Sequence, residues 1–307
     1  LPFKKIYIYS TIGVLSHGLL DACTSYGTSL LWPVSDIRIS WNIISIIDPV
    51  FTSIIITFFF LCIFSKSIKF IKIGLTLSFS YLFLCFIQYH QIKSFVLSNS
   101  KDRGHKIERI LLNPTIGNNI LWRTIYQSDG YYFIDGVYKS IFSKAKIING
   151  TKIKVINKET IYPELDQNSK QREDIRRFSY FSQDYIFLHP DFDDVIADLR
   201  YGTLPYDYKS LWGIKINSKN KDQHAKFVSL RDFKRKDYEN FWNLLKGNII
   251  QKKQEVSNVK TFSGPMGMGL AKSYVQNNQK ICIYNTINGQ DELIFQNTEK
   301  KCPKNFE

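Results

Sequence analysis

Two apolar runs separated by a short basic link constrain this chain more than any other feature. Residues 43–64 (IISIIDPVFTSIIITFFFLCIF) and 70–89 (FIKIGLTLSFSYLFLCFIQY) are each long enough to cross a bilayer, whose hydrocarbon core takes about 20 helical residues. The KSIK link carries Lys66 and Lys69, and positive charge in a short loop marks the cytoplasmic side of a membrane. Lys4 and Lys5 place the beginning of the chain on that side too, ahead of a shorter apolar stretch over residues 6–20. The pattern predicts three transmembrane segments, with the Tyr26–Asn42 connector and everything after about residue 90 on the outer face. A buried helical hairpin in a globular protein would read similarly, but its runs are usually shorter.

Between the first two apolar stretches lies Ser16–Pro33, SHGLLDACTSYGTSLLWP. Ionisable groups so close to bilayer-grade sequence cost free energy unless they are paired or liganded. His17 and Asp21 are four residues apart and share a helix face, a common way to aim two side chains at one metal ion. A hydrogen-bonded surface pair has the same spacing. Asp48, in IIDP, is a third acid inside an apolar run, and it fits two roles. It is either an N-cap for a helix beginning at Pro49, or a further ligand or general base. Thr24, Ser25, Tyr26 and Thr28 are hydroxyls of the kind that bond back to helix carbonyls near a bilayer.

The remainder is different in kind. Of the 41 Lys and Arg residues 35 lie after residue 90, with 24 of the 27 acids, so the positive balance there is dispersed among acids. Without a basic helix or a recognised binding motif, nucleic acid is not an expected partner. Residues 91–250 predict an α+β extramembrane domain with antiparallel strands. Hairpins are expected around Asp129-Gly130 and Asn149-Gly150, and a helix runs into a strand over KQREDIRRFSYFSQDYIFLHP. RDFKRKDYENFWNLLKGNI predicts an amphipathic helix with Phe233, Tyr238, Phe241, Trp242 and Leu245 as its apolar stripe. Residues 251–260 form a polar linker to a small β-rich module ending at 307. Cys282 and Cys302 in that module can pair in an oxidising compartment. HPDFDD, with His189, Asp191, Asp193 and Asp194, fits a solvated acidic turn better than a metal loop.

SHGLLDACTSYGTSLLWPVSD, followed by IIDPVFT at 46–52, resembles the membrane-bound metal-dependent hydrolases, also described as LexA-binding, inner-membrane-associated hydrolases. The resemblance continues in order through LWRTIYQSDGYY (121–132), FSYFSQDY (178–185), DLRYGTLP (198–205) and LWGI (211–214), and covers roughly residues 1–245. It implies a multi-pass protein of the bacterial inner membrane with its C-terminal domain on the periplasmic side. It also implies a divalent metal ion, for which zinc suits the donor set, held by His17, Asp21 and Asp48. The family pattern has a histidine-rich helix upstream, so this chain is expected to be an N-terminally truncated member.

Two functions follow. In the first, a metal-activated water hydrolyses an ester or phosphoester, lipidic or small, with Asp48 as third ligand or general base. In the second, the helices anchor a non-enzymatic binding or envelope-stress module that contacts membrane lipid and a regulatory protein. Transport, which intramembrane acids also suggest, would need more spans than three.

Overall fold

The computed structural model describes residues 2–218, 220, 223–249, 269–276, 279–286, 289–295, 297–298 and 301–303. The chain divides into two compact units, Leu1–Ile249 and Ile250–Glu307.

The first unit opens with three helices, α1 (Phe3–Ala22), α2 (Pro49–Ser65) and α3 (Lys69–Asp102). Helix α2 starts six residues inside its apolar run. Pro49 occupies the first helical position, and the Asp48 carboxylate accepts the Phe51 N–H at 2.9 Å. Upstream, Ile43 and Ile44 are buried with Cys23 and packed by Phe51, Tyr81 and Tyr89. Lys66, with φ of 54°, turns the chain from α2 into α3. Gly74 lets the two helices close, because a Cβ there would lie 2.6 Å from Phe58 Cβ. Among the described residues, α3 is the helix long and apolar enough to cross a membrane. At 17 residues α2 is shorter, about 26 Å by helical rise. Helix α1 does not meet that standard, so the expectation of three spans is not carried by the helices themselves.

Beyond α3 come two four-stranded antiparallel sheets. The first is β1 (Arg109–Pro114), β2 (Leu121–Ser128), β3 (Tyr131–Tyr138) and β4 (Lys146–Lys154), paired in that order. Then follow α4 (Lys170–Phe181) and the second sheet, β5 (Ile186–Leu188), β6 (Val195–Asp198), β7 (Trp212–Lys215) and β8 (Lys226–Ser229), also in chain order. Helix α5 (Arg235–Leu245) closes the unit.

Period-2 alternation in the strands builds four layers. Ile125 and Ile134 of the first sheet meet Phe187, Ala197 and Leu199 in the core between the sheets. Trp122, Tyr126 and Val137 point the other way, onto Ile92 and Val96 of α3. Ile196, Trp212 and Ile214 cover the outer face of the second sheet with Ile175 and Phe178 of α4. The order is therefore α3, first sheet, second sheet, α4. Helix α3 runs unbroken past residue 90, so the helical part and the sheet domain share a helix rather than meeting at a linker.

Two local expectations change. Asn149-Gly150 lies inside β4 and is not a turn. A Cβ on Gly150 would lie 2.0 Å from the Ile134 carbonyl oxygen, and the Gly150 N–H bonds Asp135 at 2.9 Å, where the β3–β4 register shifts. The dipeptide marks a bulge and a close backbone approach. Helix α5 begins at Arg235, so Phe233 lies before it; within it Phe241, Leu244 and Leu245 face the core against Leu121 and Ile148, whereas Tyr238 and Trp242, like Phe233, are exposed.

The second unit contains β9 (Gly269–Gln276), β10 (Gln279–Thr286) and β11 (Gly289–Phe295) as an antiparallel sheet with β10 in the centre. Leu270, Cys282 and Tyr284 are buried in it, and Cys282 is disulfide-bonded to Cys302. The expected linker at 251–260 lies outside the described residues.

Candidate functional site

His17 and Asp21 do share a face of α1, with Nε2 3.6 Å from Oδ2 and side chains 77% and 51% exposed. Asp48 is not the third member of that pair. Its Oδ1 accepts the Phe51 N–H, and its Oδ2 accepts the Tyr81 hydroxyl at 2.8 Å. Both oxygens serve the fold, as helix cap and as a tie between α2 and α3. Among the described residues, no group of three or more His, Cys, Asp or Glu is arranged to hold a metal ion. The residues present do not fit a three-ligand centre built from His17, Asp21 and Asp48. Thr24 bonds back to the Asp21 carbonyl at 2.8 Å, as hydroxyls near a helix end do.

The residues after α1 converge elsewhere. The connector 23–48 folds back on itself through paired 2.9 Å backbone bonds between Thr28 and Ile39. Arg38 Nη2 ties it further, donating to the carbonyls of Tyr26 and Gly27 at 3.0 and 2.9 Å. The connector then docks on the sheet domain. The Tyr201 hydroxyl donates to the Ser25 carbonyl at 2.7 Å, and the Tyr26 and Tyr201 rings lie 5.8 Å apart. The Tyr180 hydroxyl donates to the Asp36 carbonyl, and Gln183 Nε2 to Ser40 Oγ at 3.1 Å. Asn119 Nδ2 donates to the Ile43 carbonyl at 2.8 Å.

Beneath this seam lies a cluster of buried charge. Asp198 and Arg200 form a bidentate pair with both side chains 0% exposed, and Trp212 Nε1 adds a 3.3 Å bond to Asp198. Burial pulls the Arg200 guanidinium down and Asp198 more than reverses this, leaving it raised. Arg200 and Arg38 both lie over the Phe181 ring, at 5.1 and 5.5 Å from its centroid. Arg123, buried, donates to the carbonyls of Leu199, Leu204 and Asp207 at 2.7–3.0 Å and to that of Pro205 at 3.4 Å. Burial pushes it down to about 10, so it remains charged at neutral pH. A Cβ on Gly202 would lie 2.6 Å from Arg123 Nη1 and 3.1 Å from the Lys209 carbonyl oxygen, so glycine there lets the loop lie close against the guanidinium.

The four later motifs thus meet the first one here: Arg123 from LWRTIY, Tyr180 and Gln183 from FSYFSQDY, Arg200 and Tyr201 from DLRYG, and Trp212 from LWG. In DLRYG the two-residue spacing of Asp198 and Arg200 fits the ion pair that orders the strand, and that pair forms. The convergence of the motifs has no local signal, because their residues lie far apart in sequence.

In HPDFDD the Asp194 carboxylate pairs with Lys215 at 3.0 Å, and the Asp191 carboxylate accepts the Tyr208 hydroxyl at 3.3 Å. The Asp193 carbonyl accepts the Tyr162 hydroxyl at 2.8 Å, and the buried His189 accepts the Asp191 N–H at 3.2 Å. A depression along α5, lined by Arg235, Tyr238, Glu239, Trp242, Asn243 and Lys246, is a shallow surface feature that contains no motif residue.

No curated protein and no solved structure matches this chain. Residues 2–92 match the family model described as YdjM inner membrane protein, a match that ends within α3 and leaves all three described sheets uncovered. Over that helical third the chain is similar to an inner-membrane protein family.

Proposed function

We propose that this is a membrane-anchored, non-enzymatic binding protein in which the Ser16–Pro33 motif is a joint, not a metal centre. The helices hold the α/β/β/α domain against the outer face of the inner membrane in a fixed orientation. The observation that carries this reading is the seam: Tyr201, Tyr180, Gln183 and Asn119 spend their side chains on connector backbone and hydroxyl groups. Groups so committed are unavailable to a substrate. Lys66 and Lys69 in the short link and the Cys282–Cys302 disulfide support an outward-facing domain.

The competing reading is hydrolysis of an ester or phosphoester by water on a divalent ion such as zinc. It rests on the exposed His17–Asp21 pair and requires ligands beyond these two. Metal analysis of the purified full-length protein separates the two. A joint predicts no stoichiometric divalent ion in wild type and unchanged thermal stability in His17→Ala. A stoichiometric ion that disappears in His17→Ala would reject the joint in favour of the hydrolase.

A further inference from the structure

We propose that the sheet domain carries its own bilayer contact: the β-turn tip Ile141-Phe142, beside Ile116, seats in the headgroup–acyl boundary next to the start of α2. This rests on the membrane reading above and extends it to a surface outside the residues 2–92 matched by the family model.

The segment Lys139–Lys144 reads KSIFSK, an apolar pair set between serines and then lysines. Its turn is well made. The Ser143 N–H donates to the Ser140 carbonyl at 3.1 Å, the Ser140 N–H donates to Ser143 Oγ at 2.9 Å, and the Lys139 ammonium donates to the carbonyls of Ser140 and Ser143 at 3.4 and 3.5 Å. Turn tips ordinarily carry Gly, Asn, Asp or Ser, which water solvates. Here Phe142 is 99% exposed and Ile141 61%, held outward by an ordered turn. Lys139 is buried and spent on the turn, whereas Lys144 is exposed beside the tip; an exposed aromatic–aliphatic pair with that ammonium next to it fits an anionic lipid surface, apolar side chains below and Lys144 at the headgroups.

Hydrogen bonds place the tip at the membrane level. The Lys139 N–H bonds the Ile120 carbonyl at 2.8 Å, joining this turn to the 115–121 loop. Gln88, at the end of the apolar run of α3, donates to the carbonyls of both Asn119 and Lys139 at 2.6 and 2.8 Å. The Gly117 N–H bonds the Ile47 carbonyl at 3.1 Å, one residue before the Asp48 cap of α2. Ile46, Ile47 and Val50 are exposed at the top of α2, and Ile116 continues that surface onto the sheet domain at 66% exposure. The lipid-facing surface of α2 therefore does not stop where the helix begins.

The test uses nitroxide labels on full-length protein carrying Cys62→Ser, reconstituted in vesicles of phosphatidylcholine with about a quarter phosphatidylglycerol. Cys23 and Cys85 are buried and Cys282 is disulfide-bonded, so an introduced cysteine takes the label. Three sites are compared: Phe142→Cys, Phe59→Cys on the exposed face of α2, and Lys154→Cys. Lys154 is exposed beside Tyr131 at the far end of the sheet, about 25 Å along the strands from Tyr138. Collision with oxygen over a water-soluble nickel chelate is expected to be several-fold higher at 142 than at 154, and to approach that at 59. A label at 142 that behaves like the one at 154, with 59 lipid-exposed, overturns the tip alone. A label at 142 shielded from both reagents means a protein covers it, and also overturns the proposal. Water exposure at 59 would remove the membrane reading itself and the tip with it.

Discussion

The Tyr201 hydroxyl bonds the Ser25 carbonyl at 2.7 Å across 176 residues of sequence. It ties the segment that follows α1 to the loop that follows β6, and its ring packs on those of Tyr26 and Trp212. Tyr201→Phe keeps the rings and deletes the bond, and is expected to cost about 1 kcal/mol. Tyr201→Ala removes the packing as well and is expected to cost about 3–5 kcal/mol. Denaturant midpoints of the full-length protein in detergent measure both. Increased protease cleavage in the connector 26–42 of Tyr201→Ala would show that the joint has opened.

Asp48 and Tyr81 form a second such tie, and it separates cap from ligand. Asp48→Ala loses the α2 cap and is expected to destabilise by about 1 kcal/mol or somewhat more. Asp48→Asn keeps an acceptor for Phe51 N–H and should cost less, since Asn caps about as well as Asp. Combining Asp48→Ala with Tyr81→Phe should cost less than the sum of the two, because each single change already breaks the 2.8 Å bond. A metal ligand or general base would give the opposite ranking for Asp48→Asn, with function lost while stability is kept.

The Asp198–Arg200 pair is predicted to be the most sensitive point of the interior. Asp198→Ala strands a fully buried guanidinium and is expected to cost about 3–5 kcal/mol. Replacing both, as Asp198→Leu with Arg200→Met, should recover much of that loss, because no uncompensated charge remains. Urea denaturation of the three proteins checks the order. A double variant no better than Asp198→Ala would show that the pair is needed for more than its own charge balance.

His189 should make stability pH-dependent. Burial lowers its pKa in the folded protein, against opposing attraction from Asp191 and Asp207. Below its ordinary value of about 6.5 the unfolded chain therefore binds the proton first. The contribution of neutral His189 is complete above that value and is lost as the pH falls from it through the lowered folded value. Denaturant midpoints at about pH 7 and pH 5 should differ more in wild type than in His189→Gln. Equal differences would assign the acid sensitivity to other groups.

Several elements were legible because local chemistry decides them. The α2–α3 hairpin follows from two apolar runs and a basic link, and the α2 start follows from Asp48-Pro49. The β2–β3 hairpin follows from Asp129-Gly130, where both residues take positive φ. Asn149-Gly150 carries the same signal and became a bulge, because Asp135 on the neighbouring strand and Tyr206 from another segment crowd that backbone. In α5 a helical stripe was visible, but which half of it faces inward depended on where Leu121 and Ile148 lie.

The sequence by itself determined the long apolar helix α3, the antiparallel character of the domain, the cap at Asp48 as one of two options, and the adjacency of His17 and Asp21. These rest on spacing of a few residues, where period and propensity act directly. Only the tertiary structure decided that Asp48 turns to Tyr81 and not to His17, and that five separated motifs meet in one seam around Arg123, Asp198 and Arg200. A hydrogen bond between residues 25 and 201 has no local precursor. It exists only once the first sheet has packed on α3 and the second sheet has packed upon the first.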